Sequence, residues 1–154
     1  MKTDLPTRRL LLHVEDDPDS RFLLERALTK RGPRDWEYQG IANGEAALDY
    51  LTKAGADMVR TPDLVVLDVN MPGLDGFGVL EWMGENLPGV AVVMLSSSEL
   101  MSDQLRARDL GSKGYFIKTA TYSDFLEFLR GWNASTLADE RAVVASAGQM
   151  GRRP

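Results

Sequence analysis

Leu64-Val65-Val66-Leu67 places four apolar residues in a row, closed on either side by an aspartate, Asp63 and Asp68. A strand with one wet face alternates apolar and polar side chains, whereas a short continuous run suits a strand covered on both faces. Strands of that kind belong to parallel sheets, whose neighbours are joined by crossovers long enough to hold a helix. The rest of the chain repeats this rhythm. Leu10 to Val14, Trp36 to Ala42, Asp63 to Asp68, Val90 to Leu95 and Tyr115 to Lys118 read as strands, each followed by a stretch with helical apolar spacing. The expected fold class is α/β, a five-stranded parallel sheet with helices on both faces.

Local signals place the helices. Pro18 suits a first turn, where its missing N–H costs nothing, and Phe22, Leu23, Leu24, Ala27 and Leu28 form a stripe ended by Gly32-Pro33. Asn43 is the expected N-cap of the second helix. Ser97 or Ser98 is expected to cap a fourth helix running to about Leu110, and Thr121 or Ser123 a fifth carrying Phe125, Leu126, Phe128 and Leu129. Met71, Met83, Met94 and Met101 read as packing residues. The five units span residues 8–132. Residues 133–154 form an extension in which 136–147 carry only a weak helical stripe, followed by a tail expected to be flexible.

The 154 residues fit one domain, and no second core or long linker leaves room for an output domain. The net charge of −5 argues against nonspecific nucleic-acid binding, and the short basic clusters (Arg8-Arg9, Arg31 with Arg34, Arg152-Arg153) read as solvated surface. The absence of cysteine excludes disulfides and thiolate metal sites. No apolar run is long enough to cross a bilayer, and Met1 to Arg9 has no signal-peptide pattern, so the expected location is cytoplasmic and off the membrane.

Ligands of parallel sheets bind beyond the carboxyl ends of the strands, where strand order reverses. The polar residues of chemical interest cluster at those ends: Glu15 and Asp16 after the first strand, Asp68 after the third, Ser96 after the fourth, Lys118 after the fifth. Converging carboxylates need a counter-charge, and Mg2+ with its taste for a few carboxylates, waters and phosphate supplies one. A hydroxyl and an ammonium suit phosphoryl oxygens. Taken singly, each residue has a plain reading as a loop solubiliser, a cap or a solvated lysine; agreement of the strand ends carries the grouping. The sole histidine, His13, falls inside the first strand and reads as a packed residue, which leaves neither a Ser/His/Asp triad nor an exposed phosphohistidine carrier. Gly73-Leu74-Asp75-Gly76-Phe77-Gly78 has the wrong glycine spacing for dinucleotides. A calcium loop starting at Asp68 fails at Val79, where a glutamate is required, and Asn133-Ala134-Ser135 matches a glycosylation acceptor that has no meaning in a cytoplasmic chain.

From Leu10 to about Gly131 the sequence resembles the receiver domain of two-component response regulators. The resemblance rests on Leu12-His13-Val14-Glu15-Asp16-Asp17, Leu67-Asp68-Val69-Asn70-Met71-Pro72-Gly73-Leu74-Asp75-Gly76, Met94-Leu95-Ser96-Ser97 and Gly114-Tyr115-Phe116-Ile117-Lys118. It implies a flavodoxin-like receiver fold in which a histidine kinase phosphorylates Asp68. It also implies Mg2+ held by Asp16, Asp68 and the backbone carbonyl of Asn70, with Glu15 acting through water. Ser96 takes the switch hydroxyl position, Lys118 that of the phosphate-binding lysine and Tyr115 that of the rotating aromatic. The opening Val14-Glu15-Asp16-Asp17-Pro18-Asp19-Ser20 and the lack of an output domain resemble single-domain regulators paired with phytochrome-type kinases, which implies a bacteriophytochrome partner and a homodimer formed through the face from Leu100 to Arg130. Thr119 stands where the family usually has a proline, often cis. A cis bond before a non-proline residue costs about 3 kcal/mol, so a trans bond or a different loop is expected here. Ser96 replaces the commoner threonine, and Asn70 and Ser98 occupy positions that tune phosphate loss. Two rivals use the same residues. An aspartate-nucleophile phosphatase needs an acid two residues after Asp68, where this chain has Asn70; an adaptor that does not depend on phosphorylation has no use for the full set of strand-end groups.

Overall fold

The computed structural model describes residues 8–132. The elements run β1 (Arg9–Val14), α1 (Pro18–Arg31), β2 (Trp36–Ile41), α2 (Gly44–Gly55), β3 (Leu64–Leu67), α3 (Gly76–Asn86), β4 (Ala91–Ser96), α4 (Met101–Asp109), β5 (Tyr115–Ile117) and α5 (Ser123–Arg130). All strand pairs are parallel, in the order β2-β1-β3-β4-β5. This is the flavodoxin-like receiver fold. The order reverses between β1 and β3, whose last residues Val14 and Leu67 are in register. The residues that follow, Glu15 and Asp68, therefore emerge side by side.

The apolar runs divide their side chains between two layers, as the two-residue strand period requires. Leu11, Leu64, Val66, Val93 and Leu95 pack against α1 and α5. Leu12, Val14, Val65, Leu67, Val92 and Met94 pack against α2, α3 and α4. All four residues of the Leu64–Leu67 run are fully buried. Asn43 caps α2 as its residue type foretells, accepting the Ala46 N–H at 2.7 Å.

Several local expectations are corrected. Neither Ser97 nor Ser98 is the N-cap of α4; the helix starts later, behind Leu100, without a side-chain cap. Ser98 instead accepts the Leu100 N–H at 3.4 Å and donates to the Asp103 carboxylate at 2.5 Å. Neither Thr121 nor Ser123 caps α5. Tyr122 holds that position in a left-handed conformation (φ 54°, ψ 29°), which costs a non-glycine residue about 1–2 kcal/mol. Phe22, Leu23 and Met101 are not core residues but lie 60%, 49% and 51% exposed. In α1 the buried stripe narrows to Leu24, Ala27 and Leu28. The Lys118–Thr119 bond is trans, like every peptide bond among the described residues. The expected helix at 136–147 lies outside the described residues.

His13 is a core residue, 1% exposed, with Nδ1 2.8 Å from the Tyr38 hydroxyl and no partner for Nε2. Burial, with Lys118 and Arg21 nearby, lowers its pKa from 6.5 to about 3. The folded chain thus refuses a proton that the unfolded chain accepts below pH 6.5. Stability from this source is complete above pH 6.5 and drains as the pH falls. Over the fall from pH 6.5 to 5, unfolding free energy is expected to drop by about 1.6 kcal/mol in all on account of His13. Urea denaturation of wild type and His13→Leu at the two pH values checks this, the variant losing that part of the slope.

Candidate phosphoacceptor site

β1, β3, β4 and β5 bring their carboxyl ends to one shallow pocket. Backbone bonds hold the mouth: the Asp68 N–H donates to the Val14 carbonyl at 3.1 Å, and the Lys118 N–H to the Ser96 carbonyl at 2.9 Å. Glu15 and Asp68 are buried, 1% and 5% exposed, while Asp16 is more open to solvent. One carboxylate oxygen from each of Glu15, Asp16 and Asp68 lies within 4.8 Å of the others. Three hard oxygen donors so placed, with an accessible side, fit Mg2+. Asn70 is exposed two residues beyond Asp68.

Lys118 supplies the positive charge within the chain. Its Nζ donates to Glu15 Oε1 at 2.5 Å and sits 3.5 Å from Asp68 Oδ2. Burial alone pushes the Lys118 ammonium toward deprotonation, but Glu15 and Asp68 outweigh it and hold the pKa above the usual lysine value. Burial raises Glu15, and Asp68 adds to this; the Lys118 bond and the Asp17 N–H on Glu15 Oε2 oppose it. Both oxygens of Glu15 are therefore engaged by the protein itself. The sequence does not show that bond, because its partners stand 103 residues apart.

Ser96 is fully buried, and its Oγ accepts the Ser98 N–H at 3.2 Å. Tyr115 lies inside, 6% exposed, with its hydroxyl donating to the Ser98 carbonyl at 2.9 Å. Ser98 thus joins the hydroxyl beside the pocket to Tyr115 and, through Asp103, to the first turn of α4. Two further residues shape the site without having been singled out from sequence. Arg21 of α1 donates to the Glu15 carbonyl at 2.6 Å, and Glu45 at the start of α2 accepts the Leu74 N–H at 3.0 Å. Helical position alone gives no hint of either, since each acts on a loop of another element. Gly76 opens α3 against the residue that follows β3: a Cβ there would meet the Asp68 carbonyl oxygen at 2.1 Å.

The arrangement has known counterparts. The profile of the response regulator receiver domain matches residues 11–130. A probable methanogenesis regulatory protein, FilR2 of Methanothrix harundinacea, is 31% identical over 82% of this chain and 86% of its own length. The chain spans 53% of another relative, the response regulator VraR of Staphylococcus saprophyticus, at 30% identity. Among solved structures, the bacteriophytochrome response regulator AtBRR superposes with a TM-score of 0.69 at 31% identity, over 84% of this chain and 97% of its own. The phosphorylated cyanobacterial phytochrome response regulator RcpA gives 0.68 at 29%, and the Mn2+-bound form of response regulator Rcp1 gives 0.67 at 28%, each over 80% of this chain and 90% of its own. Profile, relatives and the convergence of Glu15, Asp16, Asp68, Ser96 and Lys118 agree: the chain belongs to the response regulator receiver domain family.

Proposed function

We propose that this chain is a phosphorylation switch whose acceptor is Asp68, charged by a histidine kinase. The observation that carries the reading is the near-buried Asp68 carboxylate, set within 3.5 Å of the Lys118 ammonium and beside two further carboxylates that fit a divalent cation. In the transfer, an Asp68 Oδ attacks phosphorus, the phosphorus–nitrogen bond of the donor phosphohistidine breaks, and the departing imidazole nitrogen keeps the electron pair and takes a proton from solvent. Mg2+, held by Asp16, Asp68 and the Asn70 carbonyl with Glu15 reached through water, would supply positive charge toward the phosphoryl oxygens. Lys118 neutralises a further oxygen, exchanging part of its bond to Glu15 for one to phosphate. The Ser96 hydroxyl donates to another. Nothing here requires turnover of a substrate, which separates this reading from a phosphatase.

The readout follows from the bonds of Ser98. Drawing Ser96 toward the phosphoryl group disturbs its bond to the Ser98 N–H, and Ser98 also holds Tyr115 and Asp103. The affected surface is the face of α4, β5 and α5, where Leu100, Met101 and Leu105 stand exposed at 63%, 51% and 42%. That face is the proposed homodimer contact. Kinship to AtBRR and RcpA, both named as phytochrome regulators, supports a bacteriophytochrome as the kinase. No helix among the described residues is long and apolar enough to cross a membrane.

With Mg2+ and acetyl phosphate, intact mass should rise by one phosphoryl group in wild type and stay unchanged in Asp68→Asn. A full signal from Asp68→Asn removes Asp68 as acceptor, and an unchanged hydrodynamic size on phosphorylation removes the dimer readout. A second expectation concerns charge balance. Lys118→Met leaves Glu15 without its cation, and unfolding free energy at pH 7 should fall by about 3 kcal/mol. Glu15 then takes up a proton more readily folded than unfolded, so the loss should shrink as the pH is lowered, and added Mg2+ should also reduce it. Urea titrations with and without Mg2+ measure both effects.

A further inference from the structure

Lys118 is a long, flexible side chain that must place one ammonium between two carboxylates, and β5 ends one residue before it. On its N-terminal side the backbone is fixed by the Lys118 N–H bond to the Ser96 carbonyl. On the other side the chain leaves through Thr119, Ala120 and Thr121, all exposed, before it is anchored again at Tyr122, which is 5% exposed.

That anchor is strained. Tyr122 has φ 54°, a region where glycine is at home and an aromatic residue is rare. Backbone strain of this kind persists only where the surroundings over-determine it. Here the surroundings are specific. The Thr119 hydroxyl oxygen accepts the Tyr122 N–H at 3.0 Å, and the Tyr122 carbonyl accepts the Leu126 N–H at 3.0 Å as α5 begins. Arg31 of α1 donates to the Thr121 carbonyl at 2.9 Å. The Tyr122 ring is part of the core layer under α1 and α5. Burial raises its hydroxyl above the ordinary tyrosine range, with Lys118 opposing and Glu15, Asp17 and Asp68 adding.

We propose that Thr119 and Tyr122 are positioning residues for Lys118: the Thr119 hydroxyl locks Tyr122 in its left-handed turn, and the turn fixes the backbone from which Lys118 reaches Glu15 and Asp68. A glycine at 122 satisfies the backbone alone; a tyrosine satisfies it only at the cost of strain, and gains a buried ring in the core layer under α1 and α5. This rests on the reading of Asp68 as acceptor for its effect on phosphorylation, though not for the placement of Lys118 itself.

Two measurements on the full chain test it. The first follows the Lys118 ammonium by 15N NMR without any phosphoryl donor. Thr119→Val, which keeps the side-chain shape and removes the acceptor, should shift or broaden that resonance; Thr119→Ser should restore it. Tyr122→Gly, relaxed in the same backbone and still donating its N–H to Thr119, should leave the resonance near its wild-type position. The second uses acetyl phosphate and Mg2+, where the phosphorus–oxygen bond breaks as the Asp68 Oδ–phosphorus bond forms and acetate leaves. Thr119→Val should slow labelling at saturating donor by about tenfold, with Thr119→Ser near wild type. A Lys118 resonance unmoved in Thr119→Val overturns the proposal whatever the rate does, as does failure of Thr119→Ser to rescue; a Tyr122→Gly chain that behaves like Thr119→Val assigns the placement to the buried ring and removes the turn from it. A wild-type chain that takes no phosphate overturns the acceptor reading instead, and the resonance still decides this one.

Discussion

One ammonium against three carboxylates organises the carboxyl edge of this sheet. Burying Glu15 and Asp68 carries a desolvation cost of several kcal/mol, and only a close counter-charge makes it tolerable. Lys118 provides it from the far side of the fold, across β3 and β4. For that bond to form, β5 must lie in the same sheet and in register, its first residue Tyr115 level with Val14 at the end of β1. The pairings Met94 with Tyr115 and Leu67 with Met94 carry this alignment from strand to strand. The site is therefore a consequence of sheet order as much as of residue type.

The two apolar layers make the alignment rigid. Every residue of β3 and β4 is buried, so a slip of one residue exchanges the contents of the layers and moves Asp68 and Ser96 out of the pocket together. Helices then fasten the loops. Arg21 holds the Glu15 carbonyl, Glu45 holds the Leu74 amide, and Ser98 ties the end of β4 to α4. The pocket's floor is sheet, and its rim is held by bonds from helices that belong to different crossovers.

How far the sequence discloses this depends on the range of the interaction. Strands, their covered character and the residues at their ends follow from runs such as Leu64 to Leu67, because burial on both faces leaves a local signature. The Asn43 cap is legible for the same reason, its bond reaching only three residues. The starts of α4 and α5 are not, since Ser98 is engaged by Asp103 and Tyr115, and Tyr122 is held by Thr119 in a conformation that propensity disfavours. Exposure of Phe22 and Leu23 escapes a periodicity argument because an apolar residue adjacent to a stripe looks like part of it. The Glu15–Lys118 bond, which matters most for charge, has no local signature at all. Residues 133–154 lie outside the described residues, and expectations for them stand as sequence readings.

Gly76 carries a different kind of consequence. With the first turn of α3 pressed onto the carbonyl of Asp68, no side chain of any size has a place at that position. The obstacle is backbone, the Asp68 carbonyl oxygen at 2.1 Å and its carbon at 2.9 Å, which no change of rotamer moves aside. Asp68 thus fixes the identity of a neighbour through its main chain alone, independently of what its carboxylate does.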